Sequence, residues 1–333
     1  MSLCDPVKPG LPALVGALRR GDRRALARAL TLVESTRSDH RAEAEQLLAA
    51  VLPATGTAVR IGVTGPPGAG KSTLIERFGL AGIARGHRVA VLAVDPASKR
   101  GGGAILADKT RMSELGRSSA AFIRPSSAGD AHGGAARRSR EAVLLCEAAG
   151  FDAVIVESVG VGQAETAVAD ITDMLLLVLP PAAGDELQAI KRGIVELVDL
   201  VLVNKADGQL VDAAQRTAAD YANAMRLIRP RSEAWTVTVR AVSALEGWGI
   251  DEIWDDVARF RAAQTASGAW ERRRREQART ALWAEIEGGL VEKFRAAPEV
   301  AARLAALEAG VVGGTCTPGA AARELLAAFF KGR

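Results

Sequence analysis

The chain has 333 residues, with 43 Lys+Arg against 39 Asp+Glu and a formal net charge of +4, which leaves room for one large α/β domain with helical additions and gives no basic domain of the kind that binds nucleic acid. Cys4, Cys146 and Cys316 are far apart and odd in number, so they form neither a disulfide framework nor a paired-cysteine metal motif. The polar, proline-containing stretch 1–10 lacks the apolar core of a signal peptide, and the longest apolar run, 174–179, is far too short to span a bilayer; a soluble, cytoplasmic protein with no membrane contact is expected.

Residues 11–52 carry apolar residues at helical spacing: Leu14 and Leu18, then Leu26, Leu30 and Val33, then Leu47, Leu48 and Val51. A helical extension over 1–56 is therefore predicted, closed by Pro53 and Gly56. From 57 to 265 the chain alternates β-like apolar runs with amphipathic helices, the pattern of a mostly parallel α/β sheet covered on both faces. Strands are predicted over 58–64, 88–94, 120–123, 152–157, 173–179, 200–203 and 236–242, with a helix over 248–260 after the last. Beyond 265 the pattern is helical to the end, over 270–297, 299–309 and 318–331. Leu282, Ile286, Leu290 and Phe294 make an apolar stripe there. The run Arg272-Arg273-Arg274-Arg275 with Arg279 reads as a solvated helix face or a subunit contact.

Between the first predicted strand and the helix after it stands Gly65-Pro66-Pro67-Gly68-Ala69-Gly70-Lys71-Ser72-Thr73, which fits the phosphate-loop template at every fixed position. Its glycines let successive N–H groups turn inward around phosphate, and the new helix adds the positive end of its dipole. Lys71 would reach the outer phosphates and the Ser72 hydroxyl would ligate Mg²⁺. The fold expected is thus a P-loop NTPase.

In open α/β sheets ligands bind beyond the carboxyl ends of the strands, where further polar residues fall. Asn204-Lys205-Ala206-Asp207 matches the guanine-recognition pattern: a carboxylate at Asp207 can accept from guanine N1–H and N2–H₂ together, a donor pair adenine lacks. Ser243-Ala244-Leu245 occupies the place of a second base-contacting loop, and Ser243 also reads as a helix cap. GTP and GDP are the ligands expected. Asp95, Asp108 and Glu157 fall near the phosphates, but Mg²⁺ needs only one or two protein ligands. Ser72 and then Asp95 are the leading ligands, while Glu157 and Asp108 can hold metal waters or position the attacking water. The Gly160 N–H would sense the γ-phosphate, and Val161 follows it where Ras-like proteins carry a water-orienting Gln. Slow intrinsic hydrolysis, stimulated by a partner, is expected, with Gln163, Gln188 and Lys191 as candidates for completing the catalytic set of Lys71, Glu157 and Gly160. The Gly-rich segment 100–103 and the stretch 180–191 read as switches.

These segments, together with Asp108-Lys109-Thr110-Arg111-Met112, Phe122-Ile123-Arg124-Pro125, Glu157-Ser158-Val159-Gly160-Val161-Gly162-Gln163 and Gly184-Asp185-Glu186-Leu187-Gln188, resemble in order the MeaB-type G proteins. The resemblance covers the chain from its helical preface to its C-terminal helices. It implies a homodimeric GTPase chaperone of adenosylcobalamin-dependent methylmalonyl-CoA mutase, gating cofactor loading and protecting the mutase. It also implies dimerisation through 266–333, and a switch over 180–191 that makes Gln188 and Lys191 its functional residues. Ser158 stands for a usual Thr, Ala164 for a Ser, Ala183 for a Gly and Gly101 for a Ser, so no metal ligand is assigned at Gly101. A nickel-enzyme maturation GTPase would call for clustered Cys and His, whereas His40, His87 and His132 are isolated. A transport-associated protein kinase is the other alternative.

Overall fold

The computed structural model describes residues 10–35, 37–94, 112–124, 134–158, 164–181, 192–228 and 230–331. It opens with α1 (Leu11–Arg19), α2 (Arg23–Glu34) and α3 (Ser38–Val51). Asp22 fixes the start of α2, its carboxylate accepting the N–H groups of Arg24 at 2.8 Å and Ala25 at 2.9 Å. Those bonds, the one from Ala25 foremost, hold the Asp22 carboxyl below its ordinary range. Leu14, Leu18, Leu26, Leu30, Val33, Leu47 and Val51 are buried, so the helical spacing read from the sequence is the buried stripe.

Strands β1 (Val59–Thr64), β2 (Val89–Val94), β3 (Ala121–Arg124), β4 (Ala153–Ser158), β5 (Met174–Leu179), β6 (Leu200–Val203) and β7 (Thr238–Ala241) form one sheet in the order β3-β2-β4-β1-β5-β6-β7, every pairing parallel. Connections between them include α4 (Lys71–Ala84), α5 (Ser113–Arg117), α6 (Gly134–Ala148), α7 (Ala164–Ala169), α8 (Arg192–Val195) and α9 (Val211–Met225); α10 (Ile250–Ala266) follows the last strand. Alternate residues of each central strand enter different cores. Val59, Ile61 and Val63 pack with Phe78 of α4 and with Trp254 and Phe260 of α10. Val154, Val156, Leu175 and Leu177 pack on the other face with Leu145, Phe151 and the N-terminal helices. Burial on both faces is why these strands read as unbroken apolar runs. Cys146 lies in the second core, where burial and then the charge of Glu147 push its thiol up, as fits a structural cysteine.

The amino ends of the strands share one device. Asp152, Asp173 and Asp199 each precede a strand by one residue and accept an N–H near the start of the neighbouring one, from Arg88 at 3.0 Å, Arg60 at 2.8 Å and Leu175 at 2.9 Å. Two of them also correct the reading of the arginine run, which lies on α11 (Ala269–Ala296). Arg274 donates to both oxygens of Asp173, at 2.8 and 2.7 Å, and to the carbonyls of Ala58 and Gly56. Arg273 reaches Asp199 at 3.4 Å. Only Arg272 and Arg275 of the four face solvent; the sequence pattern missed the other two because their carboxylates are remote in the chain. Burial would lower the Arg274 pKa, but the hydrogen bonds and charge of Asp173 outweigh it and hold it raised, whereas burial pushes the Asp199 carboxyl up despite Arg273.

By its contacts the chain divides into two compact units, Met1–Gln277 and Ala278–Arg333. The second contains the rest of α11 with α12 (Pro298–Val312) and α13 (Pro318–Lys331), which pack on each other. Phe294 meets Phe329 edge-on at 5.4 Å between ring centres.

Candidate nucleotide-binding site

Strand β1 ends at Thr64, and the chain turns at once through Gly65, which sits at φ 144°. A Cβ there would stand 2.0 Å from the Val178 carbonyl oxygen of β5, so only glycine lets the loop leave the sheet at this point. Gly68 and Gly70 follow at φ 80° and 86°, and α4 starts at Lys71. The Lys71 ammonium donates to the carbonyls of Gly65 at 2.8 Å and Pro66 at 3.2 Å, across the mouth of the loop. Helix α4 is itself fixed from behind: Trp254 stacks on Phe78 with ring centres 4.4 Å apart and donates its indole N–H to the Phe78 carbonyl at 2.9 Å.

The first turn of α4 brings two of the metal candidates together. Ser72 Oγ donates to Glu157 Oε1 at 3.1 Å, and Glu157 is buried at the end of β4. This pair fits Mg²⁺: two hard oxygens side by side at the root of a phosphate loop are what an ion that draws its other ligands from phosphate and water requires. Bound there, Mg²⁺ would neutralise charge on the outer phosphates. Asp95, Asp108, Gly160, Gln188 and Lys191 lie outside the described residues, as do Val161, Gln163 and His132. Of the stretch 180–191, Pro180 and Pro181 are described.

The segments 204–207 and 243–245 converge on the phosphate loop through Asn204. Its amide Nδ2 donates to the Ala69 carbonyl at 2.9 Å, while its Oδ1 accepts the Ala244 N–H at 3.0 Å. One buried side chain therefore joins three loops. Lys205 adopts φ 62°, the left-handed region, and is exposed; this turn lets Ala206 N–H bond Val242 O at 3.0 Å and carries Asp207 to Ser243, whose hydroxyl donates to Asp207 Oδ2 at 2.6 Å. Ser243 Oγ also accepts the Glu246 N–H at 3.1 Å. It is thus not the cap of the following helix, which begins after Gly249. Leu245 is 69% exposed at the tip of this loop.

The sequence reading missed one pair within this site. Ser158 Oγ donates to Thr64 Oγ1 at 3.0 Å with both residues fully buried. Each is a hydroxyl residue closing an apolar strand, a signal that becomes legible only once β4 is known to lie beside β1.

A model of the family "Methylmalonyl Co-A mutase-associated GTPase MeaB" matches residues 26–299. The chain belongs to the MeaB family. The "methylmalonic aciduria type A homolog, mitochondrial" of Mus musculus is 45% identical over 340 residues, spanning 98% of this chain and 81% of that protein. The "GTPase ArgK" of Escherichia coli is 49% identical over 260 residues, 78% of each. The solved structure of an "LAO/AO transport system kinase" shares 38% identity at a TM-score of 0.76, over 97% of this chain and 98% of that one. The MeaB-family chain is accordingly a P-loop GTPase that binds guanine nucleotide. Among its described residues no helix is long and apolar enough to cross a membrane.

Proposed function

We propose that this GTPase is a chaperone of adenosylcobalamin-dependent methylmalonyl-CoA mutase, which it protects and whose cofactor loading it gates with the γ-phosphate of GTP. The mutase named in the family description, and the methylmalonic aciduria relatives, support the partner. The geometry that carries the nucleotide half is the Asn204 bridge, which ties a phosphate loop to a guanine loop. In this reading 65–73 cradle the phosphates, Lys71 moves from its carbonyls to the β- and γ-oxygens, and Asp207, seconded by Lys205 and the 243–245 loop, takes the base. Ser72, with Glu157, Asp95 or Asp108 directly or through water, holds Mg²⁺; Gly160, Gln188 and Lys191 complete the γ-phosphate end. Intrinsic hydrolysis is slow and the mutase accelerates it. The working form is a cytoplasmic homodimer joined through 266–333, with helical preface 1–56 and GTPase domain 57–265.

The test has two parts. GTP, and not ATP, should raise the melting temperature, and Lys71→Ala should abolish the rise; equal protection by ATP removes the guanine assignment. Methylmalonyl-CoA mutase should form a complex with the chain and speed GTP turnover several-fold, and a mutase without effect removes the partner. The 38% identity to a chain described as a transport system kinase keeps a kinase reading in view; phosphate appearing on a protein side chain instead of in solution would favour it.

A further inference from the structure

We infer that the buried Thr64–Ser158 hydroxyl pair is a positioning device that sets Glu157 against Ser72, and so governs how firmly Mg²⁺ and the nucleotide phosphates are held. The inference rests on the guanine-nucleotide reading of the same site.

The backbone ladder between β1 and β4 runs from Val59↔Ala153 to Val63↔Glu157, and there it stops. Beyond it β1 must break away through Gly65 into the phosphate loop, while Ser158 stays paired with Val94 of β2. On its other side β1 is still held, with Thr64 opposite Leu177 and Gly65 pressed on Val178. On the β4 side the 3.0 Å Ser158 Oγ to Thr64 Oγ1 bond takes over one residue past the ladder's end. Its place is between the two residues that must agree in position: Thr64 directly precedes the loop that carries Lys71 and Ser72, and Ser158 directly follows Glu157.

Side chains alternate along a strand, so Glu157 points to the α4 face and Ser158 to the opposite one. The hydroxyl bond therefore cannot touch phosphate or metal. It acts through the backbone, by fixing the height of β4 relative to β1 and with it the 3.1 Å Ser72–Glu157 contact. Stability is a poor reason for the pair. Two hydroxyls in a largely apolar core add little net energy even when bonded, and apolar side chains of the same shape would serve packing equally well.

The test uses the full chain with Thr64→Val, Ser158→Ala, the double variant and Ser158→Thr, and reads the release of a fluorescent GDP analogue in Mg²⁺ and in excess chelator. Mg²⁺ should slow release from the unsubstituted protein. Each hydroxyl deletion should shrink that Mg²⁺-dependent factor about three- to tenfold, the range a hydrogen bond of ordinary net strength spans. The double variant should lose no more than either single one, and Ser158→Thr, which keeps the hydroxyl, should retain the effect. Folded variants with lowered melting temperatures but an unchanged Mg²⁺ factor would assign the pair to packing alone. Multiplicative losses in the double variant would show two independent effects and overturn the coupling. Release from the unsubstituted protein that ignores Mg²⁺ would remove the metal and this proposal together, and failure to bind GDP at all would instead strike the nucleotide reading.

Discussion

Gly65 and Gly68 both sit at positive φ in the phosphate loop, yet their surroundings differ. A Cβ on Gly65 meets the Val178 carbonyl at 2.0 Å, whereas one on Gly68 meets nothing within 4 Å. Gly65→Ala combines backbone strain with an overlap against a rigid strand, so it should cost about 3 kcal/mol or more and abolish nucleotide binding. Gly68→Ala carries the strain alone, about 1 to 2 kcal/mol, and should remain foldable. Urea melts with a nucleotide-binding assay would compare the two; equal losses would contradict the role given to Val178. The template in the sequence treats these as two fixed or free positions of one motif, and only the neighbouring strand separates them. Lys205, the non-glycine residue at positive φ among those described, shows the same limit: the guanine pattern was legible, but not that the loop is strained to bring Asp207 to Ser243.

At the scale of elements, apolar runs located the strands to within two residues at most of their boundaries, because a parallel sheet covered on both faces imposes little else on sequence. What the runs could not convey is how their ends are fastened. Asp173 and Asp199 stand one residue before β5 and β6 and are answered by Arg274 and Arg273 from α11, some 101 and 74 residues away. Periodicity has no access to such pairings, and the run of arginines therefore read as a solvated helix face or a subunit contact. The difference inside the run is measurable. Arg274→Ala strips a buried carboxylate of its charge partner and two carbonyls of their donor, and should cost about 3 kcal/mol. Arg275→Ala, on the exposed side, should stay within about 0.5 kcal/mol. Chemical denaturation of both variants decides it; matching losses would mean that the run acts as a surface after all.

At the scale of the whole molecule, the second unit presents an apolar stripe to solvent. Leu282 is 59% exposed, Trp283 and Leu290 55% each, and Val291 48%, with Ile286 at 39%. Leu282, Ile286 and Leu290 recur at every fourth residue, so they line one side of α11, and Trp283 and Val291 widen it. Contiguous apolar surface of this kind is normally an interface. The proposed homodimer would bury it symmetrically, each copy presenting the same stripe to the other. Leu290 is 55% exposed on this stripe, and a carboxylate placed there would be buried in the proposed homodimer without a partner. Leu290→Glu should therefore weaken self-association at least about a hundredfold. Light scattering coupled to gel filtration should find a dimer of the unsubstituted chain at micromolar concentration and a monomer of the variant. GTP affinity should survive in that monomer, because 65–73, Asn204, Asp207 and Ser243 all belong to the first unit. A monomeric unsubstituted chain, or a Leu290→Glu variant that remains dimeric, would require another occupant for the stripe.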